Sequence, residues 1–147
     1  MKSRYGLEIR GATSADAQGV SDLLMAAGHA VAVSATRLDA MRQGQGAMLI
    51  ASEWGPPVGL VALHWYCTLE VDQPTAQITT LLVAPAERRR GIGRLLVKAA
   101  AQTARMAGCG ALELVLATDD KDLLDFSSAS GFIEAGRRLV RPLRKKG

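Results

Sequence analysis

The stretch Val83–Leu96, V-A-P-A-E-R-R-R-G-I-G-R-L-L, constrains this chain more than any other. The β-branched run Gln77–Val83 before it predicts a strand. Pro85 ends that strand, because proline brings no N–H to a ladder. After the glycines, Ile92, Leu95, Leu96, Ala99, Thr103 and Met106 recur at the spacing of one helix face, which predicts a helix over Ile92–Ala107. An arginine- and glycine-rich loop therefore joins a strand end to a helix start. The first N–H groups of a helix have no intrahelical partner and sit at the positive end of its dipole. Gly91 and Gly93 let a ligand approach the backbone, and Arg88, Arg89 and Arg90 add charge. Chemically, this is a cradle for a pyrophosphate.

Spacing decides which cradle. A P-loop needs Lys and then Ser or Thr after its second glycine, where this chain has Arg94 and Leu95. The dinucleotide fingerprint needs a small residue where Leu96 stands. The pattern that fits, V-x-P-x-x-R-x-x-G-x-G, resembles the acyl-coenzyme A signature of the GNAT superfamily of N-acetyltransferases. The resemblance implies acetyl-CoA as co-substrate, its pyrophosphate on Arg88, Arg89, Arg90, Gly91, Ile92, Gly93 and Arg94. The pantetheine arm then runs along Leu81, Leu82 and Val83. A glycine turn with solvated arginines is the alternative reading of the same residues.

A second family motif falls in the last helix. Many members carry an Asn near its start and a Phe-Tyr pair shortly before a Gly-Phe. Here Asp120 stands at the first place, Phe126 at the aromatic place and Ser127 at the tyrosine, with Gly131-Phe132 after them. The Ile78–Val83 strand and the closing Gly136–Leu143 segment look most like small-molecule amine acetyltransferases of the aminoalkylphosphonate type.

The 147 residues, with 48% apolar content and 22% charge, suit one globular domain over 1–147, with about 142–147 a basic tail. No apolar run reaches a membrane span, and the N-terminus has no signal-peptide core. Cys67 and Cys109 have no metal spacing and are expected as reduced core thiols, which predicts a cytoplasmic protein without a metal. The net charge of +4 raises nucleic acid, but aromatics are only 4% and phosphates already account for the arginines. The expected partner is a small-molecule amine, with no nucleic acid and no membrane, and a homodimer is allowed.

Periodicity and caps predict strands at Leu7–Arg10, Met48–Glu53, Val58–Leu69, Gln77–Val83, Ala111–Ala117 and Phe132–Val140. Helices are expected from Thr13 or Ser14 to about Ala27, and over Ala35–Gln43, Ile92–Ala107 and Lys121–Ser130. The order β-α-α-β-β-β-α-β-α-β gives an α/β (α+β) domain with a mixed sheet. The GNAT fold has the same order.

Acyl transfer to an amine needs the amine deprotonated, and a lysine-like amine has a pKa of about 10. Many relatives carry a Glu on the strand before the loop, but Thr79 and Thr80 stand there. Glu70 is the candidate base, with Asp72 and His64 as alternatives; loop charge and core histidine are the plain readings of these three. The resemblance assigns polarisation of the thioester carbonyl to the Val83 N–H. Ser127 or Ser128 is left to hydrogen-bond the departing sulfur. Without tyrosine or strand carboxylate, a non-catalytic acyl-CoA sensor is the alternative function. For the acceptor, His29, Arg37, Arg42, Trp65 and Tyr66 are candidate lining residues.

Overall fold

The computed structural model describes residues 6–88, 90–116 and 121–144. They fall into two units, Met1–Ala117 and Thr118–Gly147. The first begins with β1 (Leu7–Gly11), a 3-10 turn (Ser14–Asp16), α1 (Ala17–Ala26) and α2 (Ala35–Arg42). Next come β2 (Gly46–Glu53), β3 (Pro57–Tyr66), β4 (Thr75–Val83), α3 (Ile92–Met106) and β5 (Ala111–Leu114). The second unit holds α4 (Lys121–Ala129).

Local chemistry accounts for most boundaries. The Ser34 hydroxyl caps α2 by accepting from the Arg37 N–H at 3.1 Å. Asp16 accepts from the Thr13 N–H at 2.8 Å and takes both Arg10 Nη atoms at 2.8 Å, so it ties β1 to the entry of α1. Those donors hold its carboxyl down to about 2.

The five strands lie in sequence order, β1 to β4 antiparallel and β5 parallel to β4. This is the expected mixed sheet. On one face, Met48, Ile50, Leu60 and Ala62 pack with Val20 and Leu23 of α1 and Leu38 of α2. Strand alternation sends Gly59, Val61 and Leu63 to the other face. There α3 lies so close that a Cβ on Gly59 would stand 3.0 Å from Leu96 Cδ1 and 3.2 Å from Ile92 Cγ2.

Three sequence expectations are corrected. Phe132–Val140 forms no strand: Ile133 is 86% and Leu139 92% exposed, and Gly136 adopts φ +144 within the segment. A strand exists only when its backbone is paired, and β-rich composition alone does not supply the partner. The buried stripe of α3 is Ile92, Leu96, Val97, Ala100 and Ala104, while Met106 is 80% exposed. The Ile92–Leu96–Ala100–Ala104 row is the buried one, while Leu95 and Ala99 are only half-buried beside it. Finally, Cys67 is exposed just past the end of β3 and Cys109 is half-buried, so neither is a core thiol. Partial burial pushes the Cys109 thiol up.

Among the described residues no helix is long and apolar enough to cross a membrane, and no cluster of His, Cys, Asp and Glu is arranged for a metal.

Candidate active site

The site is built on β4 and on the loop and helix that come after it. Thr75–Ile78 pairs with β3 on one side and with Ala111–Leu114 of β5 on the other. Between Ala62 and Leu63 the β3–β4 register shifts by one residue, leaving Thr79 as the extra residue of a bulge. Its hydroxyl donates to the Ala62 carbonyl at 3.3 Å. Beyond the bulge, Thr80–Val83 stays on β3 but has no ladder to β5 among the described residues. Among the described residues, this stretch of the β4 edge facing β5 is therefore left without a ladder partner.

The polarity of that edge is set by the ladder. The Ala84 N–H donates to the Val58 carbonyl at 2.8 Å. Antiparallel alternation then turns the Val83 and Leu81 amides away from β3, toward the open side. Leu82 lies between them and faces the opposite way, its side chain packed on the α1–α2 core.

Pro85 ends β4 by starting a 3-10 turn, Pro85–Glu87. The chain then enters α3 through Gly91, which is left-handed at φ +79 and serves as N-cap. A Cβ there would meet nothing within 4 Å. The positive φ demands glycine, and the space in front of it is open. The first-turn N–H groups of Ile92 and Gly93 point out of the helix end by geometry. Strand edge, left-handed glycine and helix terminus each offer N–H donors, a set that suits an extended amide chain and a pyrophosphate.

The arginines divide. Arg88 and Arg94 are exposed beside these donors in the chain. Arg90 is held instead: its Nη2 lies 2.9 Å from Glu53 Oε2, its Nη1 3.2 Å from Glu53 Oε1, and Nη1 also donates to Glu87. The two carboxylates raise the Arg90 pKa, and the guanidinium lowers that of Glu53. Arg89 and Asp120 lie outside the described residues.

Of the candidate catalytic side chains, Glu70 is placed away from this chemistry and Ser127 is bonded within its own helix. Glu70 sits on the exposed 67–74 connection, at the end of β4 opposite Val83. With nine residues in β4, the strand ends lie roughly 26 Å apart, beyond the reach of a general base. Ser127 is buried on α4, and its Oγ donates to the Leu123 carbonyl at 2.8 Å. Its one proton is already committed to its own helix. Phe126 is half-buried on the same helix.

The expectation of a core histidine also fails. His64 is exposed, its ring 5.8 Å from that of Tyr66. The Tyr66 hydroxyl donates to Glu113 Oε1 at 2.9 Å, and the Gln77 amide donates to the same oxygen at 3.3 Å. Glu113 and Glu53 were invisible to sequence reasoning, since each meets its partner only through sheet pairing. Of the acceptor-lining candidates, Arg42 is paired with Asp39 at 3.0 Å.

The Acetyltransferase (GNAT) family model matches residues 21–132. This chain belongs to that family of acyltransferase enzymes. It is 30% identical over 96 residues to an uncharacterized N-acetyltransferase of Methanocaldococcus jannaschii, covering 64% of this chain and 42% of that one. The chain thus matches less than half the length of that curated relative. An aminoglycoside acetyltransferase from an uncultured soil metagenomic sample, solved in complex with sisomicin, superposes with TM-score 0.80 at 18% identity, covering 96% of this chain and 97% of that chain. A glucosamine-6-phosphate N-acetyltransferase from Arabidopsis thaliana has TM-score 0.80 at 14% identity, covering 94% and 99%. These two likenesses establish the fold.

Proposed function

We propose that this chain is an N-acetyltransferase that moves the acetyl group of acetyl-CoA to a primary amine of a small molecule, by direct attack in a ternary complex. One observation carries the reading: the end of β4 that has no ladder to β5 leads, through the Pro85–Glu87 turn, to the left-handed Gly91 and the N-terminus of α3. Gly91, Ile92 and Gly93 bind the pyrophosphate through N–H groups, with Arg88 and Arg94 as exposed charges beside it. Leu81 and Val83 offer the two outward amides. They hold the pantetheine arm and donate to the thioester carbonyl oxygen as it becomes an oxyanion.

In the reaction the acceptor ammonium gives a proton to solvent, and its nitrogen bonds to the carbonyl carbon. The second proton that the nitrogen sheds also passes to solvent or to the departing sulfur. The carbon–sulfur bond breaks, and the sulfur leaves as a thiolate. A thiol pKa of about 8.5 makes that departure easy without a strong acid, which fits a helix whose Ser127 proton is committed elsewhere. Proximity and the backbone donors supply most of the acceleration. The amino-sugar names of the two structural relatives are consistent with a small amine acceptor.

The test is calorimetric titration with acetyl-CoA, then thiol release across an amine panel. Gly91→Asp sets a carboxylate at a left-handed position facing the phosphates, and binding is expected to vanish while circular dichroism stays native. Equal affinity in that variant removes the basis of the reading. Binding without amine-dependent thiol release makes the protein an acyl-CoA sensor.

A further inference from the structure

We propose that Glu113, with Tyr66 and His64, forms a subsite for a second cationic group on the acceptor, so that the preferred substrate is a diamine or polyamine. The inference rests on the acetyltransferase reading and deepens it. Its basis is a polar patch near the point where the β4–β5 ladder ends among the described residues.

Sheet register builds the patch. His64 pairs with Gln77, and Gln77 with Glu113, which sets three side chains abreast across β3, β4 and β5. Tyr66 comes after His64 on the same face, their ring planes tilted by 31°. Leu60 and Ala62 precede them on that face and are buried against α1 and α2. The row therefore changes from apolar and covered to polar and open within one strand. The hydrogen bonds to Glu113 show the patch is organised, because neutral groups from two other strands converge on one oxygen, Oε1.

Its electrostatics select a cation. Among the described residues no Lys or Arg pairs with Glu113, and Tyr66 and Gln77 bring no charge to it. Oε1 receives both donors, which leaves Oε2 for a ligand N–H. The bond to Glu113 raises the Tyr66 pKa, so the phenol keeps its proton and goes on donating. Tyr66 also offers an aromatic face, a surface that attracts ammonium groups. A carboxylate steadied by neutral donors, with the Tyr66 ring beside it, binds an ammonium and repels an anion.

Position turns a cation site into an acceptor subsite. Gln77 is four residues from Leu81 along β4, about 13 Å at the rise of a strand. An amine reacting at the open edge can therefore place a second ammonium on Glu113 if a flexible chain links the two. A monoamine cannot use both points.

The experiment compares hexylamine with α,ω-diaminoalkanes of increasing length and with spermidine, at saturating acetyl-CoA. Wild-type protein is expected to favour the best diamine or spermidine by about tenfold in kcat/KM, the scale of one charge-assisted contact. In Glu113→Gln that preference over hexylamine is lost through KM, and in Tyr66→Phe it is reduced by about threefold. A parallel titration of spermidine into CoA-saturated protein reads the subsite without turnover, and Glu113→Gln is expected to weaken that binding by about tenfold. Wild-type turnover with no diamine preference overturns the subsite alone. A Glu113→Gln loss confined to kcat and equal for both amine classes also overturns it. Wild-type protein that binds no acetyl-CoA sinks the acetyltransferase reading instead.

Discussion

Arg90 forks across Glu53, with Nη2 2.9 Å from Oε2 and Nη1 3.2 Å from Oε1, and so ties the loop after β4 to the end of β2. The strand between them, β3, makes no part of this link. Glu87 holds the same guanidinium from within the loop. The last arginine of the Arg-Arg-Arg run thus fixes the loop that leads to Gly91. Arg88, the first of the three, is exposed.

Both members of that pair act through loop geometry, so their loss is expected to be coupled. Arg90→Ala and Glu53→Gln each weaken acetyl-CoA binding by about threefold, and the double variant is no worse than either single change. If Arg90 contacted phosphate directly, Glu53→Gln would free it and tighten binding. Calorimetric titration of the three variants separates the two outcomes.

Gly59 sets how closely α3 lies on the sheet. A Cβ there stands 3.0 Å from Leu96 Cδ1, 3.1 Å from the Leu82 carbonyl and 3.2 Å from Ile92 Cγ2. Gly59→Ala is expected to cost about 1–3 kcal/mol in chemical denaturation, the usual range for overpacking. Because Ile92 opens α3, the same change should also weaken acetyl-CoA binding. Loss of stability with full affinity would mean that the helix yields at Leu96 and leaves its N-terminus in place.

Asp16 should make stability fall in acid. Bonds from Arg10 hold its carboxyl down to about 2, against an ordinary 3.8. A lowered folded-state pKa gives a contribution that is complete above the ordinary value and fades as pH drops through the folded one. Urea midpoints of wild-type protein should therefore decline between about pH 4 and about pH 2 more steeply than those of Asp16→Asn. Parallel curves for the two proteins would show that the Arg10–Asp16 pair contributes little to folding.

Ser127→Ala should barely change turnover. The hydroxyl already donates to Leu123, so removing it takes nothing from the sulfur. The expected loss in kcat is less than about tenfold, or ~1.4 kcal/mol. A loss of several hundredfold at normal acetyl-CoA affinity would show that the hydroxyl leaves Leu123 to act in the transition state.

Much of this molecule was written locally in its sequence. Pro85, Gly91 and the apolar spacing after Ile92 fixed strand end, loop and helix start, because each acts on its own φ, on N–H supply or on i, i+4 neighbours. Ser34 announced α2 for the same reason, and the family pattern in the loop came from residues adjacent in the chain. Arrangements set by pairing at a distance were not legible. Glu53 meets Arg90 across 37 positions and Glu113 meets Tyr66 across 47, and both contacts depend on which strands lie side by side and in what register. The Thr79 bulge is likewise a property of the β3–β4 ladder. Phe132–Val140 gives the converse: residues that favour a strand stay irregular and exposed, because a strand's hydrogen bonds belong to two segments at once.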